Sequence, residues 1–191
     1  MIGPLKEATD EQLAELLRQH EVGALQELYQ RYSKRLLRYF YRMLWQDEEK
    51  SQDLLHDLFA KLIEKPYHYQ PTKKFSTWIF SVAHNMCKNE YRRQSRWEVA
   101  LGRWREENAN QNRVENKHPD HELFTMSFQR ALQQLEPIHK TIFTLRYQEN
   151  LTIREIAAVI DCSPGTVKSR IFYAKKKLAQ KLKIFDPTKT Q

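Results

Sequence analysis

The sequence is poor in glycine and cysteine. Its 191 residues include four Gly and two Cys. So few Gly disfavour a sandwich or barrel with many tight turns, and abundant Leu, Lys, Arg, Glu and Gln favour helices. Cys87 and Cys162 lie far apart and neither has a Cys-x-x-Cys partner. This spacing argues against a disulfide framework and against a cysteine-rich zinc site.

Membrane and catalytic signals are also missing. No apolar run reaches the roughly 18 residues of a transmembrane helix. Residues 1–21 lack the basic-then-apolar pattern of a signal peptide, so we expect a cytoplasmic protein. There is no phosphate-binding Gly-rich loop, no nucleophile elbow and no convincing metal or acid–base cluster. We therefore expect no enzyme activity, no metal and no cofactor.

Basic charge is concentrated in two blocks. Residues 22–96 carry 14 basic and 8 acidic side chains, and residues 122–185 carry 11 and 5, within a formal net charge of +8. The stretch between them is rich in Asn, poor in apolar residues and contains Pro119, which is typical of a flexible linker. We predict an all-α protein with two small helical domains, 1–96 and 122–185, joined by a flexible linker over 97–121. Two basic surfaces suit a polyanion, although a high pI alone would also explain the charge.

The first block predicts a four-helix domain in which the third helix, from Asp47 to about Lys65, has an acidic outer face. Asp53 and Asp57 lie one turn apart on that face, so their carboxylates project together. The face is either simply solvated or a docking surface for a basic partner. The predicted buried face of the same helix comprises Leu54, Leu55, Leu58, Leu62 and Ile63.

A mixed stripe follows an aromatic, proline-flanked loop over residues 66–71 that contains Tyr69. The stripe on the fourth helix, from about Ser76 to Arg96, includes Trp78, Asn85, Lys88 and Arg92 at helical spacing. Rings, amides and cations together suit unpaired bases and phosphates. The alternative is that Trp78 belongs to the core and the other side chains are solvated.

The second block contains a helix-turn-helix pattern. Thr152 and Glu155 have capping-box spacing, Asp161-Cys162 forms a turn, and Ser163-Pro164 opens the next helix. The N-terminal part of such a second helix enters the major groove of DNA. Its exposed side is predicted to hold Lys168, Ser169, Arg170, Phe172, Tyr173, Lys175, Lys176 and Lys177.

Three segments together resemble a bacterial RNA polymerase sigma factor of the extracytoplasmic-function (ECF) group within the sigma-70 family. Residues 53–61 (DLLHDLFAK) are similar to region 2.2 of that family, and residues 75–85 (FSTWIFSVAHN) to regions 2.3–2.4. Residues 156–172 (IAAVIDCSPGTVKSRIF) are similar to region 4.2. All three occur in the family's order, which is far more specific than a helix-turn-helix alone.

The resemblance implies a role for each segment. It implies docking of Asp53, Leu54, Asp57 and Phe59 on the β′ clamp helices of core RNA polymerase, with the β flap as a second contact. It implies that Lys61, Tyr69 and Asn85 hold a flipped base of the melted non-template strand at the minus-ten element, and the residue types of the stripe add Trp78, Lys88 and Arg92 to this site. It implies duplex contacts at the minus-thirty-five element by Arg146, Lys168, Ser169, Phe172 and Tyr173. Thr166, Arg170 and Lys175 are added to this site because they lie on the same predicted recognition helix. An anti-sigma factor is a further implied partner.

Two other interpretations remain open at this point. A dimeric helix-turn-helix repressor or activator would bind a palindrome and would have no use for the stripe of the first block. A nucleic-acid-processing enzyme would need a metal or acid–base cluster, for which the sequence offers no convincing set of residues.

Overall fold

A computed structural model of the chain describes residues 5–69, 72–100 and 120–185. Within these ranges the fold is all α-helical and contains no strand, as predicted. The α-helices are α1 (Asp10–Arg18), α2 (Val22–Met43), α3 (Glu48–Glu64), α4 (Phe75–Ala100), α5 (Asp120–Gln133), α6 (Pro137–Tyr147), α7 (Ile153–Ile160) and α8 (Pro164–Lys181). None of the helices in these ranges combines the length and apolar character that crossing a bilayer requires.

Local side-chain caps explain where several helices begin. Thr9 and Gln12 form a reciprocal capping box at α1, and the predicted capping box of Thr152 and Glu155 is present at α7. Asp47 accepts the N–H of Lys50 at 3.0 Å and so starts α3. Each such cap contributes about 1 kcal/mol to helix stability. Because a cap joins residues only three positions apart, the sequence alone predicts it.

The N-terminal half packs α1, α3 and α4 around the long helix α2. Aromatic rings fill much of its core, with Tyr32 against Phe75 at 5.4 Å and Tyr39 against Phe80 at 5.7 Å between ring centroids. One predicted core position is wrong: the side chain of Ile63 is 53% exposed. Leu55, Leu58 and Leu62 form the buried stripe of α3 that faces α2, and Ile63 lies outside that stripe.

The C-terminal half packs α6, α7 and α8 on one another and places α5 across α8. A small buried cluster joins α5 to α8. Its members are Ala131, Leu132, Leu135, Ala174 and Leu178.

The two halves also pack directly against each other, which the sequence pattern does not predict. Helix α7 lies against α4, and α6 lies against α2. Ile142, Leu145, Ile156 and Val159 of the C-terminal half belong to the same buried cluster as the N-terminal core. We call this contact the seam. Of the predicted linker, 97–121, residues 101–119 lie outside the described residues.

Among the residues that the structure describes, two ion pairs cross the seam. Nε of Arg35 lies 2.9 Å from Oε2 of Glu149, whose side chain is only 2% exposed. Nζ of Lys74 lies 2.9 Å from Oε1 of Glu155. Burial acts to raise the pKa of Glu155, but hydrogen bonds from Lys74 and Thr152 outweigh it and lower that pKa to about 2. Glu155 therefore stays ionised at physiological pH and keeps both its capping role and its link to Lys74.

Candidate nucleic-acid interface

The turn between α7 and α8 has the geometry of a helix-turn-helix. Asp161 ends α7 in the left-handed conformation, with φ 53°, which Asp tolerates better than most residues. Ser163 then accepts the N–H of Thr166 at 3.1 Å, and Pro164 takes the first position of α8. Two short helices joined by this tight turn form the predicted motif.

Helix α8 presents a cationic and aromatic outer face. Val167, Ala174 and Leu178 are buried on its inner side, which leaves the opposite side to solvent. The predicted residues that are exposed there are Lys168, Ser169, Phe172, Tyr173, Lys175 and Lys176, whereas Lys177 is half-buried. Such a row combines phosphate-binding cations with a hydroxyl and two rings that can meet base edges.

Three other predicted contact residues of this half are less accessible. Thr166 and Arg170 are half-buried. Arg146 is also half-buried, and its Nη1 donates a hydrogen bond to the carbonyl oxygen of Leu151 at 2.9 Å. Arg146 thus ties α6 to the start of the helix-turn-helix.

Helix α4 carries the second basic face. Asn85, Lys88 and Arg92 are exposed on α4, and Lys61 is exposed on α3. An open cleft of about 500 Å³ lies further along α4 and is lined by Asn89, Arg92, Ser95 and Arg96. The amide and cations predicted for strand capture are therefore exposed, three of them on α4 and Lys61 on α3. We call Asn85, Lys88 and Arg92 the capture face.

His84, next to Asn85, does not add to this charge. Burial first, and the nearby ammonium of Lys88 second, lower the pKa of His84 to about 4. The imidazole is consequently neutral at physiological pH.

Tyr69 is not presented to solvent. It is 2% exposed, and its ring packs edge-on against Phe75 at 5.3 Å and Trp78 at 5.5 Å between centroids. Its hydroxyl donates to the carbonyl oxygen of Lys73 at 2.8 Å. Trp78 itself is half-buried. We call Tyr69, Phe75 and Trp78 the ring cluster; Trp78 lies on the same side of α4 as Asn85, the first residue of the capture face, and two turns before it.

The acidic face of α3 borders an apolar groove. Asp53, His56 and Asp57 are exposed, Leu54 is half-buried and Phe59 is buried. The groove between α2 and α3 has a volume of about 400 Å³, and its lining consists of Val22, Leu25, Gln26, Tyr29, His56, Phe59, Ala60 and Ile63. Phe59 thus forms groove wall, with its ring 4.8 Å from that of Tyr29. Carboxylates next to an open apolar surface favour a partner helix that is both apolar and basic.

Sequence reasoning missed the part that α1 takes in this region. Glu11 accepts the backbone N–H of Phe75 at 2.9 Å, and Nη2 of Arg18 donates to the carbonyl oxygen of Tyr69. Both contacts join residues more than 50 positions apart, so no local pattern signals them.

Both halves of the chain match models of known protein families. The fold and these surfaces define an all-α DNA-binding protein of the helix-turn-helix class. Residues 28–96 match the family model "Sigma-70 region 2", and residues 125–178 match "Sigma-70, region 4". The chain therefore belongs to the sigma-70 family, and its relatives place it in the ECF group.

The relatives cover almost the whole chain. The RNA polymerase sigma-H factor of Pseudomonas aeruginosa is 27% identical over 193 residues, which span 93% of this chain and 96% of that protein. The ECF RNA polymerase sigma-E factor of Haemophilus influenzae is 25% identical and spans 93% and 97%. The sigma factor RpoE of Bartonella quintana, solved with the anti-sigma factor NepR, superposes with a TM-score of 0.62, at 23% identity over 78% of this chain and 90% of that one. The protein is thus a transcription initiation factor and not an enzyme.

Proposed function

We propose that this ECF sigma factor brings core RNA polymerase to a two-part promoter, reads duplex DNA with α8 and holds one melted strand on the capture face. The observation that carries the proposal is the pair of exposed basic faces, one on α8 and one on α4. The residue types on α8 suit duplex DNA, and those on α4 suit a single strand. The two other interpretations of the sequence, a dimeric helix-turn-helix regulator and a nucleic-acid-processing enzyme, do not account for both faces.

Duplex reading is assigned to the N-terminal part of α8. Lys168 and Ser169 lie on the first two turns of α8 and are exposed, which is the part of a recognition helix that meets base edges and phosphates. Phe172 and Tyr173 are 62% and 54% exposed. Rings of this exposure suit contact with a thymine methyl or a sugar. We assign this surface to the minus-thirty-five element.

Strand capture is assigned to the capture face together with Lys61. The amide of Asn85 can read a base edge, and the cations of Lys88 and Arg92 can hold phosphates of a single strand. Trp78 is half-buried and adds an aromatic edge two turns before Asn85 on α4. Tyr69 can meet a base only when its ring leaves the ring cluster. The other residues therefore carry the assignment to the minus-ten element.

Polymerase docking is assigned to two surfaces. Asp53 and Asp57, with the groove beside them, offer carboxylates and apolar area to a basic helix, which we take to be the β′ clamp helices. In the C-terminal half, Leu123, Phe124 and Met126 of α5 are each about 40% exposed. Phe124 contacts the rings of Phe128 and Phe185. This exposed aromatic patch is a suitable surface for the β flap.

The seam must open before both promoter elements can be bound. The two elements are centred about 25 base pairs apart, which is roughly 85 Å of duplex at about 3.4 Å per base pair. Helices α4 and α7 lie in direct contact, so a closed molecule reaches one element at a time. Glu149 is desolvated in its pair with Arg35, whereas Lys74 is 71% exposed in its pair with Glu155, and water offsets part of the cost of separating both pairs. We propose that polymerase binding separates the halves. We also propose that an anti-sigma factor, the kind of partner with which the Bartonella quintana protein was solved, competes with polymerase for these surfaces.

The test reverses charge on the docking face. Asp53→Arg with Asp57→Arg removes both carboxylates from α3 and should abolish co-purification with core polymerase and promoter-specific run-off transcription. The matched control is Glu7→Arg with Glu21→Arg, which makes the same change in net charge at two exposed positions of the N-terminal segment. This control should bind and transcribe like the parent. Retained polymerase binding by the α3 variant would remove the docking assignment.

A further inference from the structure

Helix α1 contacts both sides of the ring cluster through backbone groups. The carboxylate of Glu11 accepts the N–H of Phe75, the first residue of α4, at 2.9 Å. The guanidinium of Arg18 donates to the carbonyl oxygen of Tyr69. One short helix therefore contacts both Tyr69, which follows α3, and Phe75, which begins α4.

Glu11 acts as a cap supplied by another helix. The first N–H groups of any helix lack partners within it, and the positive end of the helix dipole favours a carboxylate there. Phe75 is fully buried, so its N–H has little access to water. The contact with Glu11 satisfies this donor and fixes the point at which α4 begins.

Helix α1 is itself held firmly against α2. Asp10 pairs with Arg31 at 2.8 Å and accepts a hydrogen bond from the hydroxyl of Tyr32. Arg31 also donates to the carbonyl oxygen of Ala8 at 2.9 Å. Leu13, Ala14, Leu16 and Leu17 bury the inner side of α1. The two contacts to the ring cluster thus come from an anchored element and not from a free tail.

The ring cluster transmits this anchoring to Trp78. Phe75 and Trp78 are one turn apart on α4, and their ring centroids lie 5.5 Å apart. Tyr69 contacts both of them. A shift of Phe75 or Tyr69 therefore moves Trp78, which lies on the same side of α4 as Asn85 and two turns before it. A displacement near 1 Å is enough to weaken a contact that depends on orientation.

We propose that α1 is a positioning element for single-strand capture, with Glu11 and Arg18 as the positioning residues. This inference rests on the proposed function of the capture face. Neither side chain needs to touch DNA, because both act through the backbone of Phe75 and Tyr69 and through the ring cluster.

The test compares Glu11→Ala with Glu11→Gln in reconstituted holoenzyme. Gln keeps an oxygen acceptor for the N–H of Phe75, whereas Ala removes it. The probe is a single-stranded oligonucleotide of the minus-ten non-template sequence. Glu11→Ala should weaken probe binding about fivefold, the usual effect of losing one hydrogen bond. Glu11→Gln should stay within about twofold of the parent. Affinities for core polymerase and for minus-thirty-five duplex should be unchanged in both variants.

The outcomes separate this inference from the proposed function. Asn85→Ala is the reference variant, because its side chain lies on the capture face itself. If Asn85→Ala weakens probe binding and Glu11→Ala does not, the positioning role is overturned and strand capture stands. If both leave binding unchanged, strand capture itself fails. Equal losses of probe, duplex and polymerase binding in Glu11→Ala would indicate general destabilisation and also overturn the inference.

Arg18→Met provides a second variant should Glu11→Ala fail to fold. It removes the donor to Tyr69 but keeps the apolar stem of the side chain against the bundle. It should reproduce the selective loss of probe binding with polymerase affinity intact. Parent-like probe binding by Arg18→Met in folded holoenzyme would exclude a positioning role for this contact.

Discussion

At the scale of single residues, Lys140 has the most unusual environment for its charge. It lies on α6 and is only 3% exposed. Its Nζ donates to Oε1 of Gln133 at 2.9 Å and reaches the carbonyl oxygen of Arg42, across the seam, at 3.5 Å. Burial lowers the pKa of Lys140 to about 8. The ammonium therefore destabilises the folded state at neutral pH, since the unfolded chain solvates the same charge fully.

Lys140→Met should make the free energy of unfolding less dependent on pH. The pKa of Lys140 in the folded protein is below its ordinary value of 10.5. The unfolded parent therefore binds more protons than the folded parent between about pH 8 and 10.5, and the free energy of unfolding of the parent rises through that window. The advantage of the variant at pH 7, up to about 3 kcal/mol, should shrink by pH 10. Urea unfolding at both pH values measures this. Parallel pH profiles for parent and variant would contradict it.

At the scale of helices, the sequence predicts what depends on neighbours in the chain. The caps at Thr152 and Ser163, the proline at the start of α8 and the turn between α7 and α8 are confirmed, because each rests on residues within a few positions. The role of Glu11 and the burial of Tyr69 could not be predicted. They depend on a hydrogen bond between residues 64 positions apart and on rings from two segments. Ile63 shows the same limit, since helical periodicity cannot say where a neighbouring helix stops covering a face.

The assignment of α8 to duplex DNA makes a prediction about salt. Lys168→Ala should weaken holoenzyme binding to promoter DNA, and the slope of log affinity against log salt should fall by about one if its ammonium contacts a phosphate. Lys34→Ala removes an equally exposed lysine from α2 and serves as the matched control. Filter binding over a range of salt concentrations measures both. An identical slope and affinity for Lys168→Ala and the parent would show that α8 does not lie on the duplex as proposed.

At the scale of the whole molecule, the seam brings into contact two halves that the sequence predicts as separate domains. Composition and charge mark the predicted linker clearly, but they carry no information on whether apolar faces from distant segments meet. Arg35 shows how closely they do. Its guanidinium pairs with buried Glu149 and lies 5.2 and 5.3 Å from the ring centroids of Tyr32 and Phe80. A charge, a cation–π contact and a buried carboxylate converge at this point.

Arg35→Met should lower the free energy of unfolding by about 3–5 kcal/mol, because it leaves the carboxylate of Glu149 buried without this partner. Adding Glu149→Leu should recover most of the loss, since the double variant has no buried charge at this position. Denaturant unfolding of the parent, both single variants and the double variant gives the coupling energy. Additive effects would show that the two side chains do not interact across the seam.

The seam limits how a sigma factor can be redirected by grafting the C-terminal half of one protein onto another. The outward side of α8 is exposed and can be exchanged. The inner side of α7 instead packs against α4, Glu149 pairs with Arg35 on α2, and Glu155 pairs with Lys74 just before α4. A chimaera that transplants only the outer row of α8 keeps this fit. A chimaera that transplants the complete C-terminal half also needs basic residues at the positions of Arg35 and Lys74 in the recipient protein. Without them, Glu149 or Glu155 loses its ion-pair partner.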